Sequence, residues 1–148
     1  MLAAVGLWQL TRVGREPPVA EARERLLASA DTIRIDWTAT KDPAANGATG
    51  DVVWSPSAQQ GFMRFRGLEA NNPERTQYQL WIFDAKRDER YPVDGGVFDV
   101  PPTGDVVVPI RPAVRVDSPV LFAVTIEKPG GVVVSNRERL PLLAKVTP

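Results

Sequence analysis

The hydrophobic pattern of the chain changes period near residue 31. Between Pro18 and Ala30, apolar residues recur at helical spacing behind a proline near the first turn, which predicts one short amphipathic helix over residues 18 to 30. Beyond Asp31, apolar and polar residues alternate with a period of two, as is typical of half-buried antiparallel strands. The chain is therefore expected to be a β-domain that follows a single helix.

The apolar face of the predicted helix is narrow, because Ala22 and Ala30 are two of its members. The sequence leaves open whether this helix is a stalk, a partner-facing helix or part of the core. Glu21 and Arg25 stand four residues apart, which predicts an ion pair on the exposed face.

Eight or nine strand-like segments follow between Thr32 and Val146, at intervals of about ten residues, which is typical of a β-sandwich or barrel. We expect an all-β fold: an antiparallel β-sandwich of immunoglobulin-like type with one short N-terminal helix. The predicted strands are TIRIDW, DVVWS, GFMRFRGL, YQLWIFDA, GGVFDV, DVVVPI, VLFAVTIE and, as one or two closing strands, VVVS and LLAKV.

One of these segments, YQLWIFDA at residues 78–85, is apolar on both faces. Alternation places Tyr78 and Leu80 on one face and Trp81 and Phe83 on the other. The segment is therefore expected to be a central strand with one face against the opposite sheet. The other face needs a second cover, for which the N-terminal helix, a long loop and a partner subunit are the alternatives.

Charge and composition limit the kinds of binding and catalysis that this chain can carry out. The 18 basic and 18 acidic residues cancel and are interspersed, which predicts no binding of nucleic acid. The chain has no histidine and no cysteine, and therefore lacks the usual zinc ligands, the thiolate nucleophile and the usual general base at neutral pH. The acidic stretch from Asp84 to Asp99 is interleaved with basic residues, which favours a solvated loop over a calcium site. We predict no enzymatic activity, no catalytic residues, no cofactor and no metal.

The first residues of the chain are mostly apolar and lead to Arg12 and Arg15. The run is shorter than the roughly 20 apolar residues of a membrane span, but Trp8 stands where an interfacial aromatic would lie at the end of one. We interpret residues 1–15 as the remnant of a transmembrane segment or a flexible arm. Residues 16–31 are interpreted as a juxtamembrane stalk helix, and residues 32–148 as the β-sandwich domain.

Five segments occur in an order and spacing that resemble the extracytoplasmic domain of the anti-sigma-K factor family. The resemblance covers residues 49–146, and its most recognisable letters are Tyr78 to Trp81. Lys128 departs from the family pattern within the last segment, and Val132 departs from it directly after that segment. The segments are GDVVWSPS (50–57), GLEANNPERTQYQLWIFD (67–84), DGGVFDV (94–100), VPI (108–110) and LFAVTIEKPGG (121–131).

This resemblance implies a bacterial regulator: the extracytoplasmic regulatory domain of a single-span, membrane-bound anti-sigma factor. Such a protein controls an extracytoplasmic-function sigma factor through regulated proteolysis. The resemblance implies that the sigma factor is bound through an N-terminal segment outside this sequence, and that a site-1-type protease cuts within the stalk of residues 16–31. It further implies that an N-terminal span crosses the cell membrane, with this domain outside, and it is compatible with a homodimer.

The alternative is a secreted or periplasmic β-sandwich that binds carbohydrate or peptide and uses exposed tryptophans as stacking platforms. The two hypotheses differ in the exposure that they require of Trp8, Trp37, Trp54 and Trp81. A hydrolase is a third hypothesis, and it requires a serine with a lysine, or two carboxylates, within hydrogen-bond reach.

Overall fold

The structure, a computed structural model, describes residues 18–147. In this part of the chain a helix is followed by nine strands, which form two antiparallel sheets. A short 3-10 helix (Pro43–Ala45) lies between the second and third strands. The helix α1 spans Val19–Leu27, and the strands are β1 (Ile33–Asp36), β2 (Thr38–Ala39), β3 (Thr49–Ser55), β4 (Gln60–Arg66), β5 (Gln77–Asp84), β6 (Val93–Phe98), β7 (Val106–Pro109), β8 (Pro119–Glu127) and β9 (Leu142–Lys145).

The two sheets pack face to face as a sandwich. One sheet has four strands in the order β1-β3-β4-β7, and the other has five in the order β2-β9-β8-β5-β6. The order β9-β8-β5-β6 corresponds to strands G, F, C and C′ of a variable-type immunoglobulin sheet. The expected antiparallel sandwich of eight or nine strands with one short N-terminal helix is confirmed.

The chain changes sheets at Trp37. The strand before it, β1, pairs with β3, whereas the strand after it, β2, pairs with β9. Trp37 itself is buried, and its ring stacks on Phe65 with the centroids 5.5 Å apart. The first strand of the sandwich is therefore tied to both sheets.

A run of stacked aromatic rings crosses the core. Phe65 of the four-stranded sheet stacks on Phe98 of the five-stranded sheet at 5.2 Å, and Phe98 stacks on Tyr78 at 5.6 Å. The Tyr78 hydroxyl donates to the Glu69 carbonyl at 2.6 Å, so the buried phenol has its hydrogen-bond partner. Each such aromatic pair contributes about 0.5–1.5 kcal/mol beyond its burial.

The strand that sequence analysis found apolar on both faces is β5, and it lies between β8 and β6. Tyr78, Leu80 and Ile82 belong to the core between the sheets. Trp81 lies on the outer face, where it is 2% exposed and its indole N–H donates to the Thr125 hydroxyl at 2.8 Å. The strand is therefore covered on both faces, as predicted.

The second cover of β5 is a long loop, residues 128–141, which we call the covering loop. The Gln79 side chain exchanges two hydrogen bonds with the backbone of Val132, at 2.9 and 3.0 Å. The guanidinium of Arg137 lies 5.0 Å from the centre of the Phe83 ring. A long loop was one of the three covers anticipated for this face, and it lies there in the structure.

One predicted strand and the predicted end of the helix differ from the structure. The segment VVVS is not a strand, because Gly130 and Gly131 adopt positive φ values and the backbone of Val132 bonds to the Gln79 side chain instead of a neighbouring strand. The helix ends at Leu27 and not at Ala30, since the chain turns there towards β1 and the Thr32 hydroxyl donates to the Leu26 carbonyl at 2.6 Å.

A glycine is required where β3 passes β4. Gly50 has φ +137°, and a Cβ at this position would overlap the Arg64 carbonyl oxygen. We expect Gly50→Ala to lower the free energy of unfolding by about 3 kcal/mol or more, from backbone strain and steric overlap together. Urea denaturation followed by tryptophan fluorescence measures this loss.

The matched control is Gly47→Ala, which has a positive φ of +75° but no heavy atom within 4 Å of the added Cβ. Only the strain remains at this position, so we expect a loss of roughly 1 kcal/mol. Equal losses in the two variants would contradict the steric explanation.

Candidate functional site

The outer face of the four-stranded sheet is covered by the helix α1, which contacts β3, β4 and β7. Alternation along β3 turns Val52 and Trp54 towards the core and Asp51 and Val53 towards the helix. Val53 is completely buried although it lies outside the sandwich core. The helix is therefore the second cover of this sheet, as the covering loop is for the other.

The helix docks through few residues. Of its nine residues, only Arg23 (3% exposed) and Leu26 (8%) are buried. Val19, which lies on the same face of the helix as Leu26, remains 38% exposed. One charged and one apolar side chain therefore form the centre of the contact.

Arg23, Asp51 and Arg34 form a charged group that we call the Asp51 cluster. Nη2 of Arg23 donates to both carboxylate oxygens of Asp51, at 2.8 and 2.6 Å. Nε of Arg34 donates to the same carboxylate at 2.8 Å. The side chains of Arg23 and Asp51 are 4% and 3% exposed, whereas that of Arg34 is 60% exposed. A single carboxylate thus joins α1, β1 and β3.

Not every hydrogen-bond donor of the Asp51 cluster has a partner among the described residues. Nε of Arg23 is buried without a hydrogen-bond partner in the described part of the chain, and Nη1 donates to the exposed Glu24 at 3.2 Å. Taking one partner from a buried ion pair typically costs about 3–5 kcal/mol, because a buried charge is left behind. The net gain of forming such a pair is much smaller, because both charges must first be desolvated.

A second contact fixes the linker between α1 and β1. Asp31 accepts hydrogen bonds from the backbone N–H of Ser57 at 2.8 Å and from the Ser55 hydroxyl at 2.9 Å. Hydrogen bonds from Ser57 and from Ser55 lower the pKa of Asp31 from its ordinary 3.8 to about 2. The linker is thereby held to the turn between β3 and β4.

An open groove of about 570 Å³ runs between α1 and the adjacent ends of β4 and β7. Its apolar lining includes Leu26, Phe62 and Ile110, with Val19 at the helix. The helix therefore leaves part of the apolar surface on which it lies uncovered.

The metal-site and hydrolase hypotheses considered from the sequence find little support in residues 18–147. No group of three or more acidic side chains there could hold a metal ion. Asp84 is 5% exposed and accepts from the backbone N–H groups of Lys86, Asp117 and Ser118 at 2.8–3.2 Å, so it is a turn-forming residue and not part of a solvated loop. Within the same range no lysine donates a hydrogen bond to a serine.

The tryptophans do not form a binding platform in the described part of the chain. Trp37, Trp54 and Trp81 are 7%, 0% and 2% exposed. Trp8 lies outside the described residues. Tyr91, at 53% exposure, is the large aromatic side chain that the described surface presents. Within residues 18–147, the carbohydrate- or peptide-binding alternative therefore has no exposed tryptophan to support it.

Sequence reasoning singled out neither Arg23 nor Asp51, although a signal was present. Arg23 lies on the same helical stripe as Val19 and Leu26, and Asp51 precedes an apolar strand segment. A charge on a surface that is otherwise apolar calls for a partner of opposite sign. The predicted Glu21–Arg25 pair is not among the ion pairs of residues 18–147, where Glu24 pairs with Arg23 instead.

Residues 1–15, interpreted as the remnant of a transmembrane segment or a flexible arm, lie outside the described residues. Among the residues that the structure does describe, no helix has the length and the apolar character to cross a membrane.

Comparison with known families places the chain in relation to a family of regulators by a sequence match. The model of the family described as anti-sigma-K factor rskA, C-terminal, matches residues 1–136 of the 148-residue chain. This finding confirms the resemblance carried by the strand motifs. No curated protein and no solved structure matches the chain.

The Asp31 contact predicts a pH dependence of stability. Because the pKa of Asp31 is lower in the folded chain, its contribution is present above the ordinary value of 3.8 and is lost as the pH falls to about 2. We expect wild type to lose more stability than Asp31→Asn between about pH 5 and about pH 2 in urea denaturation. Titration of the Asp31 carboxyl by NMR gives the pKa directly, and Ser55→Ala, which removes one donor, should raise it. A midpoint near 3.8 in the folded wild type would contradict the assignment.

Proposed function

The chain belongs to the anti-sigma-K factor C-terminal family, and from this premise we propose that it is the extracytoplasmic regulatory domain of a single-span anti-sigma factor. The family makes it the C-terminal regulatory domain of an anti-sigma factor with a sigma factor as partner. The proposal adds that the sigma factor is of the extracytoplasmic-function class, and that regulated proteolysis controls it. In this proposal the sigma factor is bound by a segment N-terminal to this sequence, and the domain lies outside the cell membrane.

The observation that carries the proposal is the docked position of α1. In the proposed protein, residues 16–31 lead from the membrane to the sandwich and contain the site of the first cleavage. Proteases act on locally unfolded chain, at a rate set by how often the folded segment opens. A stalk folded against its own domain is therefore cut slowly while it is docked. The domain acts in this account through contacts and not through covalent chemistry.

The location outside the cell is testable with reporter fusions. We expect alkaline phosphatase, which folds only outside the cytoplasm, to be active when it is fused after Pro148 of the full-length protein in bacterial cells. A β-galactosidase fusion at the same position should be inactive. The opposite pair of results would refute the proposed topology.

The proteolytic step is testable with a C-terminal epitope tag on the full-length protein. When the sigma factor is activated, we expect a tagged fragment whose first residue lies within residues 16–31, as identified by N-terminal sequencing. Transcription that depends on the sigma factor should rise as this fragment accumulates. An intact stalk in cells whose sigma factor is active would count against the proposal.

A further inference from the structure

We propose that the Asp51 cluster is a latch: the pair of Arg23 with Asp51 keeps α1 folded on the sandwich, and loss of this pair releases and unfolds the helix. The biological meaning of the latch rests on the proposed function, because residues 16–31 are the proposed cleavage segment. The latch itself is a property of this chain and can be measured without a sigma factor or a membrane.

The pairing of the strands shows which contact of the cluster can open. Strands β1 and β3 are neighbours in one sheet, with Arg34 opposite Val53 and Asp36 opposite Asp51. The Arg34–Asp51 contact is therefore a diagonal within the sheet, and it does not depend on the helix. Among the ion pairs of residues 18–147, the one that crosses from helix to sheet is Arg23–Asp51.

Release of Arg23 leaves no isolated charge behind. Asp51 keeps Arg34, whose side chain is 60% exposed and already bonded to the carboxylate at 2.8 Å. Arg23 regains water at all its nitrogens, including the Nε that has no described partner when the helix is docked. The pair therefore fixes the position of the helix without making release prohibitively costly, which is the property that a latch requires.

The remaining contacts define a hinge. Asp31 holds the linker to the turn between β3 and β4 through Ser55 and Ser57. These bonds lie on the sandwich side of the helix and remain when Arg23 leaves. The unit that opens is thus α1 with its few flanking residues, and the sandwich stays folded.

A released α1 does not persist as a helix. It has nine residues, and isolated helices shorter than about 12–15 residues are marginal in water. Its first turn also lacks a side-chain cap, because the N-cap position is Pro18. Loss of one ion pair therefore converts a folded segment into the extended chain that a protease binds. Docking and helix formation depend on each other.

The test compares two arginines of the same helix in the full 148-residue chain. Arg23→Ala removes the latch, while alanine, as the best helix former, keeps the intrinsic helix propensity. Arg25→Ala is the matched control, because Arg25 is exposed on the same helix. Asp51→Asn is a second latch variant, which leaves Arg23 buried opposite a neutral side chain.

Hydrogen exchange by mass spectrometry is measured for residues 19–27, with β5 and β8 as internal references. We expect exchange in α1 to be at least about tenfold faster in Arg23→Ala than in wild type, and thermolysin cleavage within residues 18–32 to accelerate similarly. Arg25→Ala should match wild type, and β5 and β8 should not change in Arg23→Ala.

Two results would overturn the latch. In one, Arg23→Ala behaves like Arg25→Ala. In the other, β5 and β8 accelerate in step with α1, which indicates global unfolding and not local release. A cellular arm separates the latch from the proposed function: if α1 opens in purified Arg23→Ala but transcription that depends on the sigma factor does not rise in cells, the latch stands and the proteolytic function fails.

Discussion

Each sheet of this protein buries side chains on both of its faces, and the rest of the structure follows from the need to cover four faces. The two inner faces cover each other and form the core. The outer faces also bury side chains, such as Val53 on one sheet and Trp81 on the other. A two-layer sandwich would leave these residues in water, so each sheet requires a further cover. The helix and the covering loop meet this requirement in different ways.

The two covers differ in what holds them. The covering loop lies between β8 and β9 and is therefore anchored in the five-stranded sheet at both of its ends. Its backbone is bonded to Gln79, which is 1% exposed. The helix is anchored to the sandwich at its C-terminal side and is seated by one buried ion pair and one leucine. Of the two, the helix is the one whose release leaves the fold of the sandwich intact.

Alternation predicted most of the sandwich because each face of a strand has one environment: in β4, Met63 and Phe65 are buried while Arg66 is exposed. It could not predict β2, whose two residues are too few to show a period. It also wrongly predicted a strand at VVVS, where the backbone of Val132 forms hydrogen bonds with the side chain of Gln79. The Asp51 cluster could not be predicted from the sequence, for a different reason. Alternation gives the face on which a charge lies, but it does not identify a partner 28 positions away.

The switch of the first strand between the sheets has a mechanical consequence. A load applied at the N-terminal side of the chain reaches α1 first and then β1. The hydrogen bonds between β1 and β3 lie perpendicular to the strands, so tension along β1 loads all of these bonds at once, in shear. Through Trp37 and β2, part of the tension is transmitted to the second sheet. The helix has no such parallel support. Among the described elements, α1 is therefore expected to extend at a lower force than the one that unfolds the sandwich.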